Sequence, residues 1–448
     1  MHSRPGPAPG RRVSGMVSIE PHDFLTQVYR AAIAAADPRQ ATRQAVGALQ
    51  DLIGPVWLIA AGKGAHRMAS GAMEALRDRN VPVAGGLVVA NTPDETATHG
   101  LEAIEGDHPI PGASSFEAAD RVSALAAGTT GDSDAIVLIS GGATSLIAGP
   151  VRGVRERELQ ETFSALLASG ADIELMNAVR KRLLRFGAGR LAIALNSRRV
   201  HCLIASDVVG NDPASIASGP CVADTSTAHE TRVRARKAGA WEALPAAVRA
   251  HIDAMADGRL PDVPPRDHPR FASTSAQVIL DRTDAERGAA SSAANLGAAV
   301  EVRLDPLSGE ASDAGREFAS QLLTRERNNI ECVIWSGETT VSLGRKPGSG
   351  GRCQEFALGC AMSFEAAGSV ARGIAVLAAG TDGRDGSTDA AGATIDATTC
   401  AEMRRNGVDP VAALGAHDSY RALEGAGALL KTGPTGTNVN DLVIALLS

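Results

Sequence analysis

The hydrophobic positions of this chain change period several times. Residues 22–53 carry apolar side chains at helical spacing, with Phe24, Leu25, Val28 and Ile33 among them, until Pro38 interrupts the run. A short unbroken apolar run follows at Val56-Trp57-Leu58-Ile59-Ala60, then Gly62-Lys63-Gly64 and a helical stretch over 65–79. The cycle repeats with Gly86-Leu87-Val88-Val89 and a helix around 113–128. It repeats again with Ala135-Ile136-Val137-Leu138-Ile139, the turn Ser140-Gly141-Gly142, and helices within 155–185. Residues 191–195 and 202–205 read as further strands. Short strands that are apolar at every position, alternating with helices, predict a parallel sheet covered on both faces.

At 258–270 the pattern breaks into a polar, Pro-rich stretch that reads as a linker. Beyond it the alternation resumes, with strands at 277–280, 299–304, 332–335 and 374–378. Helices are expected near 284–298, 311–326 and 353–366, and 442–447 forms the last apolar run. The expected organisation is a disordered tail at 1–17, an N-terminal α/β domain at 18–262 and a C-terminal α/β domain at 263–448. The fold class is α/β: two Rossmann-like domains with largely parallel sheets and a cleft between them.

Composition narrows the function. The 448 residues include 48 glycines, about 11% against a usual ~7%, which points to many glycine-dependent turns. Lys and Arg number 44 against 51 Asp and Glu, a net charge of −7, and aromatics are only 3%. Nucleic acid is an unsuitable partner for such a surface, which lacks both a basic patch and stacking platforms. No apolar run reaches the ~20 residues of a membrane helix. The first fifteen residues are basic without the apolar segment of a signal peptide, and Met16 is an alternative start to Met1. The six cysteines form no CxxC pair, so the expected setting is reducing and cytoplasmic. His99 and His108 stand alone, without zinc-ligand spacing. No G-x-S-x-G elbow occurs.

The candidate chemistry sits in turns at predicted strand ends, where open α/β sheets bind ligands. Gly62-Lys63-Gly64 can bring an ammonium to a phosphate, although neither G-x-x-x-x-G-K-[ST] nor G-x-G-x-x-G is present. Ser140-Gly141-Gly142 has a weak echo in Ser336-Gly337-Glu338-Thr339-Thr340, and both turns suit an oxyanion or phosphate. Asp207 and Asp212 follow the strand at 202–205 and can hold Mg²⁺ or accept a hydroxyl proton; an Asx turn before Pro213 is the plain alternative. Gly348-Ser349-Gly350-Gly351 leads Arg352 into a helix start, which reads as a mobile loop with an anion-binding end. Thr381, Asp382, Asp385 and Asp389 make an acidic loop suited to a metal–nucleotide complex rather than to structural calcium. Thr432 to Asp441, with Asn438 and Asn440, is dense in hydroxyls and amides. Arg180-Lys181-Arg182, Arg185 and Arg190 read as a solvated helix face with one or two cations aimed at a ligand.

Together these turns resemble the class II glycerate kinases, the glycerate 2-kinases with a MOFRL-type C-terminal domain. The His108-Pro109-Ile110-Pro111 turn, Ser218-Gly219-Pro220 and Gly350-Gly351-Arg352-Cys353-Gln354-Glu355 add to the match, which spans about residues 20–448. The resemblance implies ATP- and Mg²⁺-dependent phosphorylation of D-glycerate to 2-phosphoglycerate in an interdomain cleft. It implies Lys63 and Arg352 as the central catalytic cations, with Asp207 and Asp382 beside the reacting groups. Substrate and ATP would be bound by Gly62, Gly64, Ser140, Gly141, Gly142, Lys181, Asp212, Ser336, Gly337, Glu338, Thr339, Thr381, Asn438 and Asn440. A metal would lie at Asp382 and Asp389, with the division between base and metal ligand left open.

The chain departs from the family pattern in places. Cys353 stands for a usual Asn, Asp107 for a Gly before the His-Pro turn, Thr98-His99-Gly100 for a Lys/Tyr-containing stretch, and Gly187 for a frequent lysine. These leave the reaction class intact and leave a related hydroxy-acid open as acceptor. The oligomeric state is also open, a homodimer included. Two other functions fit less well. An NAD(P)H-dependent hydroxypyruvate reductase lacks its G-x-G-x-x-G turn here, and a non-catalytic nucleotide-binding regulator does not need so many charges of both signs.

Overall fold

The computed structural model describes residues 19–92, 100–327, 329–343 and 347–448. The expected tail at 1–17, Met16 and His99 lie outside the described residues. The first sheet contains β1 (Val56–Ala61), β2 (Val83–Ala90), β3 (Glu102–Glu105), β4 (Ala135–Ile139), β5 (Val200–Ala205) and β6 (Thr274–Leu280). All its neighbours pair in parallel, in the order β3-β2-β1-β4-β5-β6. That is the doubly wound order of dinucleotide-binding folds, with its reversal between β1 and β4.

The second sheet contains β7 (Ala299–Val302), β8 (Glu331–Gly337), β9 (Ile374–Gly380), β10 (Gly392–Asp396), β11 (Leu429–Leu430) and β12 (Asp441–Leu447). Its order is β11-β10-β9-β12-β8-β7. The α/β class holds for both halves, but the expected parallel arrangement holds only in the first. In the second, β7 and β8 alone run parallel and every other pair is antiparallel. Part of the cause is in the connections. The loops 381–391 and 431–440 contain no helix, so β10 returns antiparallel to β9 and β12 runs opposite to β11.

Two other expectations change. Residues 191–195 are not a strand: Arg190–Ala194 is a short helix entered through Gly189 at φ +80°. Five apolar residues carry no period that distinguishes the two states. The stretch 258–270 also does not end the first sheet, because β6, which lies beyond 262, pairs with β5 as its edge strand. Pro38 interrupts the first helical run as its position suggests. It is the first residue of the helix Pro38–Ala48, whose cap Asp37 accepts from Arg39 N at 3.0 Å.

The helix Pro21–Ala35 precedes the first sheet in the chain but packs on the second. Tyr29 Oη donates to Gly380 O at 2.7 Å, and the helix lies against Arg282–Asn295. One apolar cluster therefore runs without a break from Leu58 and Leu138, through Val28 and Met68, to Leu377 and Ile444. Gly288 sets the approach of the two helices: a Cβ there would stand 2.4 Å from Ala35 Cβ and 2.7 Å from Ala31 O. Among the described residues no helix is long and apolar enough to cross a membrane.

Alanine favours a helix interior over glycine by about 1 kcal/mol. At residue 288 the backbone oxygen of Ala31 cannot retreat unless the helices part, and such overpacking costs about 1–3 kcal/mol. Gly288→Ala should therefore lower the denaturant midpoint, and a midpoint equal to or above the parent's would disprove the close contact.

Candidate active site

The carboxyl ends of β1 and β4 release Gly62-Lys63-Gly64 and Ser140-Gly141-Gly142 side by side, at the point where strand order reverses. The turns brace each other, with Gly64 N donating to Ser140 Oγ at 2.9 Å and Lys63 N to Gly141 O at 2.8 Å. At residue 62 the backbone has φ +128°, and a Cβ would fall 2.2 Å from Ser140 Oγ, so only glycine fits. Lys63 is thus held at the rim of the sheet with its side chain directed outward.

The second sheet supplies the facing wall. β8 and β9 end where β12 begins, with Asp441 opposite Gly337 on one side and Gly380 on the other. This antiparallel insertion gathers Glu338, Thr381, Asp382, Asn438, Asn440 and Asp441 at one edge. Thr381 Oγ1 donates to Asn440 O at 2.6 Å and accepts from Val439 N at 2.8 Å, fixing the strand entrance.

Polar contacts close the seam between the walls. Lys63 Nζ lies 3.2 Å from Asp382 Oδ2. Asn438 Nδ2 donates to Asp207 Oδ2 at 3.1 Å, and Asn440 Nδ2 donates to the Asp207 carbonyl at 2.6 Å. Arg352 clamps Asp441 with two bonds, Nε to Oδ2 at 2.5 Å and Nη2 to Oδ1 at 3.0 Å, and also holds Glu338. Lys63, Arg352, Asp207 and Asp382 are therefore brought to one seam.

Carboxylates outnumber cations there, and titration behaviour follows. Burial, with Glu338 next, pushes the Asp207 carboxyl up to about 6 against the opposing pull of Lys63. Desolvation also raises Glu338; Arg352 pulls it down and Asp441 pushes it up. His108 touches the same rim, since a Cβ on Gly142 would lie 3.0 Å from its Cδ2 and 3.6 Å from Lys63 Cγ. Burial first, then Lys63 and Arg180, push its imidazole down to about 4.

Other expected residues lie elsewhere or are turned away. Lys181 is buried in an ion pair with Asp224 at 2.9 Å. Its stretch is no solvated face: Arg182 is wholly buried beside Asp224 and Asp262, and Arg190 donates to Lys181 O at 2.6 Å. Asp212 is used by its own turn, accepting from Ala214 N and Ser215 Oγ. Ser336 Oγ faces Glu286 and Arg282, while Gly337 packs on Leu307 and Thr339 is buried.

The acidic loop is split three ways. Asp382 goes to Lys63, and Asp389 to Tyr420 and Lys431. Asp385 accepts from Cys353 N at 3.2 Å and Gln354 N at 2.8 Å. Two N–H groups at the start of the helix Arg352–Ala367 are therefore already capped, and the Arg352 side chain is what this end turns toward the seam. Nor are Gly348 and Gly350 loose, since they pack against Asp418 and Ser419. Among the described residues no group of three or more His, Cys, Asp or Glu side chains is arranged to hold a metal ion by itself. Asp441 was not singled out from the sequence, although a lone carboxylate opening an otherwise apolar strand is a visible signal.

Residues 24–253 match a family described as a domain of unknown function (DUF4147), and residues 331–441 match the MOFRL family. The chain is 33% identical to the glycerate 2-kinase of Pyrococcus horikoshii, over 97% of this chain and 99% of that protein. The chain belongs to the glycerate 2-kinase family. A second relative, the D-glycerate 2-kinase of Thermotoga maritima, is 35% identical over 94% of this chain and 97% of its own length. The crystal structure of glycerate kinase from Thermotoga maritima superposes with a TM-score of 0.79 at 34% identity, covering 95% of this chain and 99% of that one. One Agrobacterium vitis relative, 34% identical over 96% of this chain and 95% of its own, carries the provisional name hydroxypyruvate reductase. In this member of the glycerate 2-kinase family, the first turn of the doubly wound sheet holds Lys63 against an aspartate.

Asp385 is a helix cap supplied from a distant loop. Asp385→Ala should lower stability by about 1 kcal/mol, and Asp385→Asn, which keeps one acceptor oxygen, by less. Equal thermal melts for all three proteins would show the cap to be irrelevant.

Proposed function

We propose that this chain is an ATP-dependent kinase that phosphorylates D-glycerate to 2-phosphoglycerate in the cytoplasm, with two lobes, one per sheet, closing on the reacting groups. The observation that carries the reading is the meeting of Lys63, from the first sheet, with Asp382, Asp441 and Arg352 from the second. Phosphoryl transfer requires cations around the moving group and little covalent help from the protein. Lys63 and Arg352 would flank the transferred phosphoryl and neutralise charge as it develops on the equatorial oxygens. Both are held by carboxylates that phosphate oxygens can replace as partners.

Asp207 suits the role of base. Its carboxyl is raised to about 6, it is steadied by Asn438, and among the described residues no cation is bonded to it. Asp382, paired with Lys63, is better suited to charge balance. The surplus of carboxylates fits a divalent cation. Mg²⁺ commonly takes one or two carboxylates together with substrate phosphates, and Glu338 and Asp382 would hold it here; when bound it would supply charge neutralisation. Asp389, tied to Lys431, would take no part. A reductase reading gains no support from the Gly62-Lys63-Gly64 turn, because Arg67 stands where the G-x-G-x-x-G pattern needs its third glycine.

Release of ADP on mixing with ATP, Mg²⁺ and D-glycerate, with the product identified by phosphorus NMR, tests the reading directly. Hydroxypyruvate reduction by NAD(P)H with no ADP release would overturn it. Lys63→Ala and Arg352→Ala should each lower kcat by about 100-fold or more; Lys63→Ala should leave the melting temperature little changed, while Arg352→Ala, which strips buried Asp441 of its counter-ion, should lower it. The base must be ionised, so kcat/KM for the acceptor should fall about tenfold per unit as pH drops below about 6. Asp207→Asn should abolish that acid limb along with most turnover.

A further inference from the structure

Three cations follow one another near the end of the helix Ile173–Leu183, and all three are buried. Lys181 has Asp224, and Arg182 has Asp224, Asp262 and the Ser226 carbonyl. Arg180 has none. Among the described residues it forms no ion pair; its Nε is buried without a hydrogen-bond partner, and its guanidinium lies 4.5 Å above the Phe163 ring. A buried cation lacking a counter-ion is strongly unfavourable unless a ligand supplies one. The planar fork above a ring is a preorganised receptor for a carboxylate.

Its surroundings connect this residue to the seam. Phe163 shares an apolar cluster with Ile110, two residues along from His108, and His108 stands against Gly142 and Lys63. The helix end is tied to the segment after Ser140-Gly141-Gly142: Arg185 N donates to Gly149 O and Val151 N to Leu183 O. Arg180 is near enough to His108 to oppose its protonation, alongside Lys63.

We infer that Arg180 binds the carboxylate of the hydroxy-acid acceptor and so sets its selection over neutral polyols. The inference rests on the kinase reading above. It assigns the anion to the acceptor rather than to the nucleotide, because one enclosed guanidinium suits a compact carboxylate better than an extended triphosphate.

The test uses the full chain with saturating ATP and Mg²⁺, and compares D-glycerate with its neutral amide, as substrate or as competitive inhibitor. In Arg180→Gln the KM for D-glycerate should rise by about 100-fold, as loss of one partner of a buried charge pair implies. The amide should bind as before, the KM for ATP should stay within about threefold, and Arg180→Lys should recover part of the loss. Equal losses for acid and amide would show a merely structural role, and a raised KM for ATP would place the guanidinium on the nucleotide; either overturns the inference. No turnover of D-glycerate by the parent enzyme would instead overturn the kinase reading beneath it. Should the variants fail to fold, a crystal structure of the parent with D-glycerate decides: a carboxylate bonded to Arg180 is expected, and one bound elsewhere refutes it.

Discussion

Charges of both signs drawn into one seam must neutralise each other or be neutralised by a ligand, and the arrangement of both sheets serves that requirement. Lys63 arrives on a glycine turn that the first sheet holds rigid, and Asp382 and Asp441 arrive at the mouth of the second. Each cation is satisfied by a carboxylate from the second sheet, while the Asp207 carboxylate is met by the Asn438 amide and holds its proton to a higher pH than an ordinary aspartate. The site is thus charged but balanced in such a way that an anionic substrate can exchange partners with groups already in place.

The two sheets solve one positional problem by different means. In the first, parallel strands end together and their turns gather at the reversal of strand order. In the second, an antiparallel strand threads between two others, so that its beginning meets their ends. Both devices bring backbone turns from distant parts of the chain into contact without a long loop. The apolar cluster running through both sheets then holds the walls in register.

Much of this was legible in the sequence, and what was not has physical reasons. Lys63, Arg352, Asp207 and Asp382 were found because each follows or precedes an apolar strand or a glycine run, where a charged side chain has no packing purpose. Strand direction in the second sheet could not be read, since a strand buried on both faces shows no alternation from which to infer its partner. Lys181 and Arg180 are neighbours in sequence, but successive helical residues point in directions about 100° apart. Which of them faces Asp224 depends on a loop some forty residues away. The same holds for Asp385, whose use as a cap for a helix that begins at Arg352 leaves no local trace.

The helix Pro21–Ala35 precedes every strand in the sequence, and its seat includes β9 and β12, the latter following every other strand. That helix can meet Arg282–Asn295 earlier, but its seat on the second sheet is finished only when β12, the last strand in sequence, enters. The first sheet has all its strands much earlier. Folding in the cell therefore has a built-in delay: the first sheet can form once β6 is made, while the other, and with it the seam, waits for β12. A chain cut short by a few residues would lose the core strand of one half and leave the opening helix with an exposed apolar face.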